Sequence, residues 1–388
     1  MMNGAFRTGL FYALVFGGAG IALPFAALWF RSKGLNGAEI SLVLASPMLA
    51  RILIGPLLAV WGDGFRLRRT PLALLALTAA GAVGAMLLVE GMALWLLLWF
   101  VAMSAFTSLA PLADVLTLRL ARREGFVFAV ARSAGSVAFI VASVGLGSLL
   151  TVSDPDLIII CLASACAAAA GAALVLLPAE PVHAEGVVVR AADRFRGLGL
   201  LLGDRPFMTA IAAVGLIQAA HAFYYGFSTL VWRGQGISEA AIGWLWAAGV
   251  AAEVVFMWSL EPWRRRVGPL ALLMLGGGGA ALRWAIMALE PPLWALWPLQ
   301  VLHALSFAAS FLAGLQLVER LSLPQTVSVA QTLSSALSSG VLMGLATMLS
   351  GPLFDAYGAG GYAAMAMLAG IGVAIAFSLR GRLAEEAG

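Results

Sequence analysis

Glu253 lies inside the apolar run Ile237–Leu260. A carboxylate near the centre of a membrane helix costs about 2.5–3.5 kcal/mol, so it faces a polar interior, pairs with a partner or carries a proton. The comparable groups in other apolar runs are Arg51, Asp114, Arg132, Arg283, His221 and His303. A guanidinium keeps its proton, so Arg51, midway along its run, needs an anion or several acceptors. It holds either a substrate carboxylate through a fork of paired hydrogen bonds or a structural ion pair with Asp114 or Glu253. Glu253 suits proton exchange, because dry and cationic surroundings favour opposite charge states of a carboxyl group. The alternative is a static partner for Arg51 or Arg283.

Asp114 and Arg132 fall near the ends of consecutive runs, across a loop with Arg122, Arg123 and Glu124. They read as a charge pair, a cytoplasmic latch or a second substrate contact, and Asp114 as a further proton-coupling candidate. Asp63, followed by Arg66, Arg68 and Arg69, reads as a gating loop or an orientation signal. Arg283 reads as structural. His221 shares a helical face with Gln218, Tyr225 and Ser228 at spacings of three and four, which either lines a ligand cavity or knits helices together. His303, with Gln300 and Ser306, repeats that situation. Trp244 and Trp246 sit deep enough to touch a ligand, whereas Trp29, Trp95, Trp99, Trp294 and Trp297 lie near run ends, as interface anchors do. Two isolated histidines without a thiol or acidic set make no metal site, and no cofactor is expected.

The elements that must position these groups are membrane helices. The chain is 62% hydrophobic and 11% charged, with a mean hydropathy of +0.97, which excludes an ordinary soluble domain and a nucleic-acid partner. Apolar runs long enough for about 30 Å of hydrocarbon recur throughout. Without water to satisfy their amides, they must be helical. Cys161 and Cys166 form no CxxC pair and read as inert buried thiols.

Twelve runs are expected, divided into a six-helix bundle over 1–178, a cytoplasmic linker over 179–204 and a second bundle over 205–388. Of the 23 basic residues, 17 fall on the side shared with the N-terminus and 3 on the other, which puts both termini in the cytoplasm. The halves echo one another: Ile40 to Arg51 and Pro71–Leu75 parallel Ile242 to Glu253 and Pro269–Leu273. Repeats of this kind place a substrate site near mid-membrane between the halves and move by alternating access. No phosphate-binding loop, zinc-protease motif or nucleophile elbow is present, so an enzyme is not expected.

The sequence also resembles a known group. Twelve runs divided six and six, with an acidic–basic loop after the second, are similar to the major facilitator superfamily. Within it, ALPF around Pro24, MLAR ending at Arg51, PLAD ending at Asp114 and RSAGSVAFI from Arg132 resemble the phenylpropionate permease family, itself similar to nucleoside–proton symporters. So do HAFYYGFSTLVWRGQG from His221, IGWLWAAGVAAEVVF with Glu253, RWAIM at Arg283 and LQVLHALSF with His303. The resemblance implies proton-driven uptake of an aromatic monocarboxylate through the inner membrane by a monomer. In that reading Arg51, His221, Tyr225, Trp246 and His303 contact substrate, Glu253 and Asp114 couple protons, and Asp63, Asp114 and Arg132 form the gate. The chain departs from the family in the region Phe128 to Ser136 and at Phe311, where a second histidine is usual, so its ligand need not be phenylpropionate. A nucleoside or sugar symporter, an exporter and a non-transporting sensor remain alternatives.

Overall fold

Asn36 accepts a hydrogen bond from the Glu39 amide, and the Glu39 carboxylate accepts one from the Asn36 amide, both at 2.9 Å. This reciprocal cap starts a helix that survives two internal prolines, Pro47 and Pro56, on either side of Arg51. Each proline removes one ladder donor, which a long apolar helix tolerates.

The computed structural model describes residues 3–182, 198–323 and 326–380. It is helical throughout: α1 Gly4–Ser32, α2 Gly37–Asp63, α3 Arg69–Ala85, α4 Met92–Glu124, α5 Phe128–Leu150 and α6 Asp156–Val175 come first. Then follow α7 Leu198–Gly203, α8 Arg205–Ala219, α9 Ala222–Gly234, α10 Glu239–Ser259, α11 Glu261–Val267 and α12 Pro269–Met287. The last are α13 Leu293–Val301, α14 Ser310–Arg320, α15 Val327–Ser335, α16 Met343–Tyr357 and α17 Tyr362–Ser378. Expectations for His183, Glu185, Arg190, Asp193, Arg194, Arg196 and Arg382 lie outside the described residues.

Among the described residues, ten helical stretches are long and apolar enough to cross a membrane, and Arg69–Ala85 is a shorter apolar helix. The chain is therefore a multi-pass membrane protein. The count differs from the expected twelve at two places. One is the 17-residue α3. The other is Val329–Ser378, which runs for 50 residues as one helical stretch where two spans were expected.

The helices form two compact units, Met1–Val188 with Trp232–Ala247, and Val189–Val231 with Ala248–Gly388. Trp232–Ala247, the end of α9 and the start of α10, groups with the first unit. In that unit α1 is the central element, with Phe11, Tyr12, Phe25, Trp29 and Phe30 fully buried. Its Gly20 lies so close to α5 that a Cβ there would stand 2.5 Å from the Phe139 carbonyl oxygen. Trp29 and Trp95 are buried rather than interfacial: Trp29 donates to Asp156 at 2.7 Å, and Trp95 donates to the Met86 and Val89 carbonyls. Trp294 and Trp297 remain exposed, as interface anchors are.

The chain leaving α6 is strapped onto the loop between α2 and α3. Leu67 and Pro181 form an antiparallel bridge. The Arg68 amide donates to the Glu180 carbonyl at 2.9 Å and the Val182 amide to the Arg66 carbonyl at 3.1 Å. Arg68 Nη2 donates to the Val182 carbonyl at 2.7 Å, and Arg123 pairs with Glu180 at 2.6 Å.

The second unit packs small residues against one another. Ala210, Ala213, Ala308, Ala309, Ala313 and Ala376 are buried in its core with Ile217, Leu272, Leu273 and Leu317. Close approach of this kind is how membrane helices associate without a hydrophobic driving force between them. It brings α8, α12, α14 and α17 together around a polar centre.

Candidate functional site

That centre is built where regular helix fails. The break between α8 and α9 falls at Ala220 and His221. His221 turns its Nδ1 back onto the Ile217 and Gln218 carbonyls, at 3.2 and 3.1 Å. Directly after His303, residues Ala304–Ala309 form a π-helical turn. Such turns insert an extra residue into a helix and are frequent at functional sites. Gln300, His303, Ser306 and Ser310 all lie at or beside this turn, and all are buried.

Arg283 on α12 is fully buried among them. Its Nη1 donates to His303 Nδ1 at 2.8 Å and, more weakly, to Ser306 Oγ at 3.4 Å. Its Nη2 donates to Gln300 Oε1 at 2.8 Å, which also accepts from the Tyr224 hydroxyl at 2.9 Å. The guanidinium lies 4.6 Å from the Tyr224 ring centroid and 4.4 Å from that of Trp284, both within cation–π range. Trp284 in turn stacks on Tyr362.

Glu253 completes the cluster. His303 Nε2 stands 2.9 Å from Glu253 Oε1. One turn earlier on α10, a Cβ at Gly249 would meet His303 Cδ2 at 3.3 Å, so the missing side chain lets α10 lie against the imidazole. His221 Nε2 meets Ser306 Oγ at 3.2 Å, and Gln218 donates to Ser310 Oγ at 2.9 Å. Tyr225 stacks on His221 and meets His303 edge-on. Among the described residues, several buried donors find no acceptor: Arg283 Nε, Trp284 Nε1, Gln300 Nε2 and the Tyr362 hydroxyl.

A second polar group belongs to the first unit. The Tyr12 hydroxyl donates to Asp114 Oδ1 at 2.6 Å and to Thr117 at 3.1 Å. Arg132 reaches the same oxygen through Nε at 3.4 Å, with its guanidinium 4.0 Å from the Phe16 ring centroid. Both charged side chains are about one-third exposed, at 33% and 34%.

The structure thus brings together His221, Tyr225, Glu253 and His303, and separately Asp114 and Arg132. Trp246 is buried two turns before Glu253, whereas Trp244 is exposed. Arg51 is partly buried on α2, and among the described residues it makes no hydrogen bond or ion pair. Of the two pairings open to it, Asp114 is engaged by Tyr12 and Arg132, and Glu253 by His303. Asp63 follows at the end of α2. Sequence reasoning missed Tyr12, Trp284 and Tyr362, and read Arg283 as structural. Its position twenty residues before His303 carried no periodic signal of their contact. Among the described residues, no group of three or more metal-ligating side chains occurs.

A family model described as the MFS_1 like family matches residues 6–362. The chain belongs to that family. It is a major facilitator transporter and not an enzyme. It is 31% identical over 362 residues to the probable 3-phenylpropionic acid transporter of Escherichia coli (strain K12), covering 92% of this chain and 93% of that one. It is 29% identical over 389 residues to the maltose permease of Geobacillus stearothermophilus, covering 97% and 95%. The crystal structure of nucleoside transporter NupG superposes with a TM-score of 0.79 at 18% identity, covering 98% of this chain and 99% of that one. That likeness extends to the fold.

Proposed function

We propose that this major facilitator transporter takes up a small organic acid, with an aromatic carboxylate as the favoured class, in symport with protons. The observation that carries the reading is Glu253, set 2.9 Å from His303 within a membrane span. A carboxyl group is kept in such a place at a cost only where its charge is used. Coupling follows if substrate binding and protonation of Glu253 favour the same state, which is the condition for one ligand to drive another. Arg51 holds the carboxylate, because no protein anion neutralises it among the described residues. Arg132, about one-third exposed and 3.4 Å from Asp114 through Nε, is the second substrate contact. His221, Tyr225, Trp246 and His303 supply the aromatic and polar lining, and Asp63, Asp114 and Arg132 act at the gate. The identity to a probable 3-phenylpropionic acid transporter supports the aromatic acid.

Further parts of the reading are twelve spans in two six-helix bundles, both termini in the cytoplasm, an inner-membrane location and a working monomer. The 50-residue stretch Val329–Ser378 supports the count. At about 1.5 Å per residue it is long enough for two crossings of about 30 Å each. A second reading, symport of a neutral sugar, is favoured by the identity to a maltose permease. A nucleoside symporter or an exporter of the same fold are further outcomes of one experiment. Purified protein in liposomes is given an inward proton gradient and a panel of aromatic acids, aliphatic acids, maltose and nucleosides. Accumulation of an aromatic acid, with alkalinisation outside, is expected. Accumulation of maltose alone overturns the acid assignment, and outward-directed movement overturns uptake.

A further inference from the structure

We propose that Arg283 is a positioning residue that fixes the two buried histidines as neutral rings of opposite tautomer, leaving Glu253 as the single proton-exchanging group of the cluster. The assignment rests on the coupling role proposed for Glu253 and goes beyond it. Histidine tautomers follow from what each ring nitrogen faces. Arg283 Nη1 is 2.8 Å from His303 Nδ1. A guanidinium only donates, so that nitrogen must offer its lone pair. The ring hydrogen then sits on Nε2, 2.9 Å from Glu253 Oε1, and is donated to the carboxyl oxygen.

His221 has the reverse arrangement. Its Nδ1 faces two carbonyl oxygens, at 3.2 and 3.1 Å, so it must carry the hydrogen. Its Nε2 accepts from Ser306 Oγ, and that oxygen accepts from Arg283 Nη1. The same guanidinium nitrogen therefore meets His303 directly and His221 through one hydroxyl.

A proton added to His303 would go onto Nδ1, setting N–H against N–H and cation against cation across 2.8 Å. A proton added to His221 would go onto Nε2, turn the Ser306 hydroxyl away toward the His303 carbonyl at 3.5 Å and leave the Ser306 oxygen facing two cations, the imidazolium and Arg283. The two ring centroids are 5.5 Å apart, so charging either ring also disfavours charging the other. Groups from the surrounding helices offer no relief. Tyr224 and Tyr225 on α9 and Tyr362 on α17 are neutral phenols, and Arg283 on α12 is a fixed cation. Among the described residues, Glu253 on α10 is the one acid in contact with the cluster. The proton step is correspondingly simple. An O–H bond forms on the Glu253 carboxyl group when a proton arrives from water and breaks when it leaves, while His303 continues to donate from Nε2. The Arg283 charge balances the carboxylate through the neutral ring.

The chain has three histidines, His183, His221 and His303, so the ¹⁵N ring signals of the full-length, histidine-labelled protein in lipid can be assigned with H221Q and H303Q. The expected spectrum has His303 as the Nε2–H tautomer and His221 as the Nδ1–H tautomer, both unchanged from mildly acid to mildly alkaline pH. An imidazolium signal from His303 on acidification, or an Nδ1–H form of it, overturns the proposal. R283K, which retains a donor, keeps the His303 tautomer, whereas R283M gives a mixture. An unmixed Nε2–H signal in folded R283M removes the positioning role. H303Q is expected to slow uptake about tenfold, the scale of one charge-assisted hydrogen bond. Its residual uptake should still follow the proton gradient, and residual uptake indifferent to the gradient overturns the proposal. Full gradient-driven uptake by E253Q overturns the coupling reading instead, and the tautomer spectrum, read without transport, stands apart from it.

Discussion

Tyr12 holds Asp114 more closely than Arg132 does: the phenol oxygen is 2.6 Å from Asp114 Oδ1, and the nearest arginine nitrogen is 3.4 Å from that same oxygen. The hydroxyl, from α1, ties that helix to α4 beneath the loop that joins α4 to α5. A hydrogen bond to a charged group contributes about 1.5–3 kcal/mol, and a partly exposed ion pair at longer range about 0–1 kcal/mol. Y12F should therefore lower thermal stability in detergent by more than R132Q does. The reverse order in a melting series would make the ion pair the dominant tie.

The α1–α5 contact makes a sharper stability prediction. G20A places a methyl group against the Phe139 carbonyl oxygen, where no side chain can yield. Overpacking of this kind costs about 1–3 kcal/mol. G81A on α3 meets nothing within 4 Å and should be neutral or slightly stabilising, since alanine favours helix by about 1 kcal/mol. Melting temperatures and folded yield of the two variants check the contrast.

E253Q removes the proton-exchanging group but keeps a side chain of the same shape. It should abolish accumulation against a gradient yet retain exchange of labelled for unlabelled substrate across liposomes. Loss of both activities in a folded variant would give Glu253 a role in binding.

R51Q should raise KM for the transported acid about tenfold or more, as expected for loss of a charge-assisted pair. It should leave the affinity for a neutral amide of the same acid nearly unchanged. Equal losses for acid and amide, measured by competition, would remove Arg51 from carboxylate recognition.

Membrane helices, their approximate ends and the placing of Glu253 and His303 inside apolar spans were legible because each is a local signal: an apolar run, or a polar group inside one. The grouping of His221 with Tyr225 was also local, set by helical spacing. The partners of Arg283 were not legible because they depend on two irregularities, the break at His221 and the π turn after His303, which no period announces. Trp29 and Trp95 looked like interface anchors by position along the chain. Asp156 and the Met86 and Val89 carbonyls make them internal donors, and those partners lie in other segments. The Tyr12–Asp114 contact joins residues 102 apart in sequence, beyond what one chain without relatives can reveal.

The short pairing of Leu67 with Pro181 has a mechanical consequence. Force applied along the backbone past Val182 is delivered to the arginine-bearing turn between α2 and α3 before it can reach the end of α6. Any tug on the connecting segment is thus registered by the foot of the helix that carries Arg51.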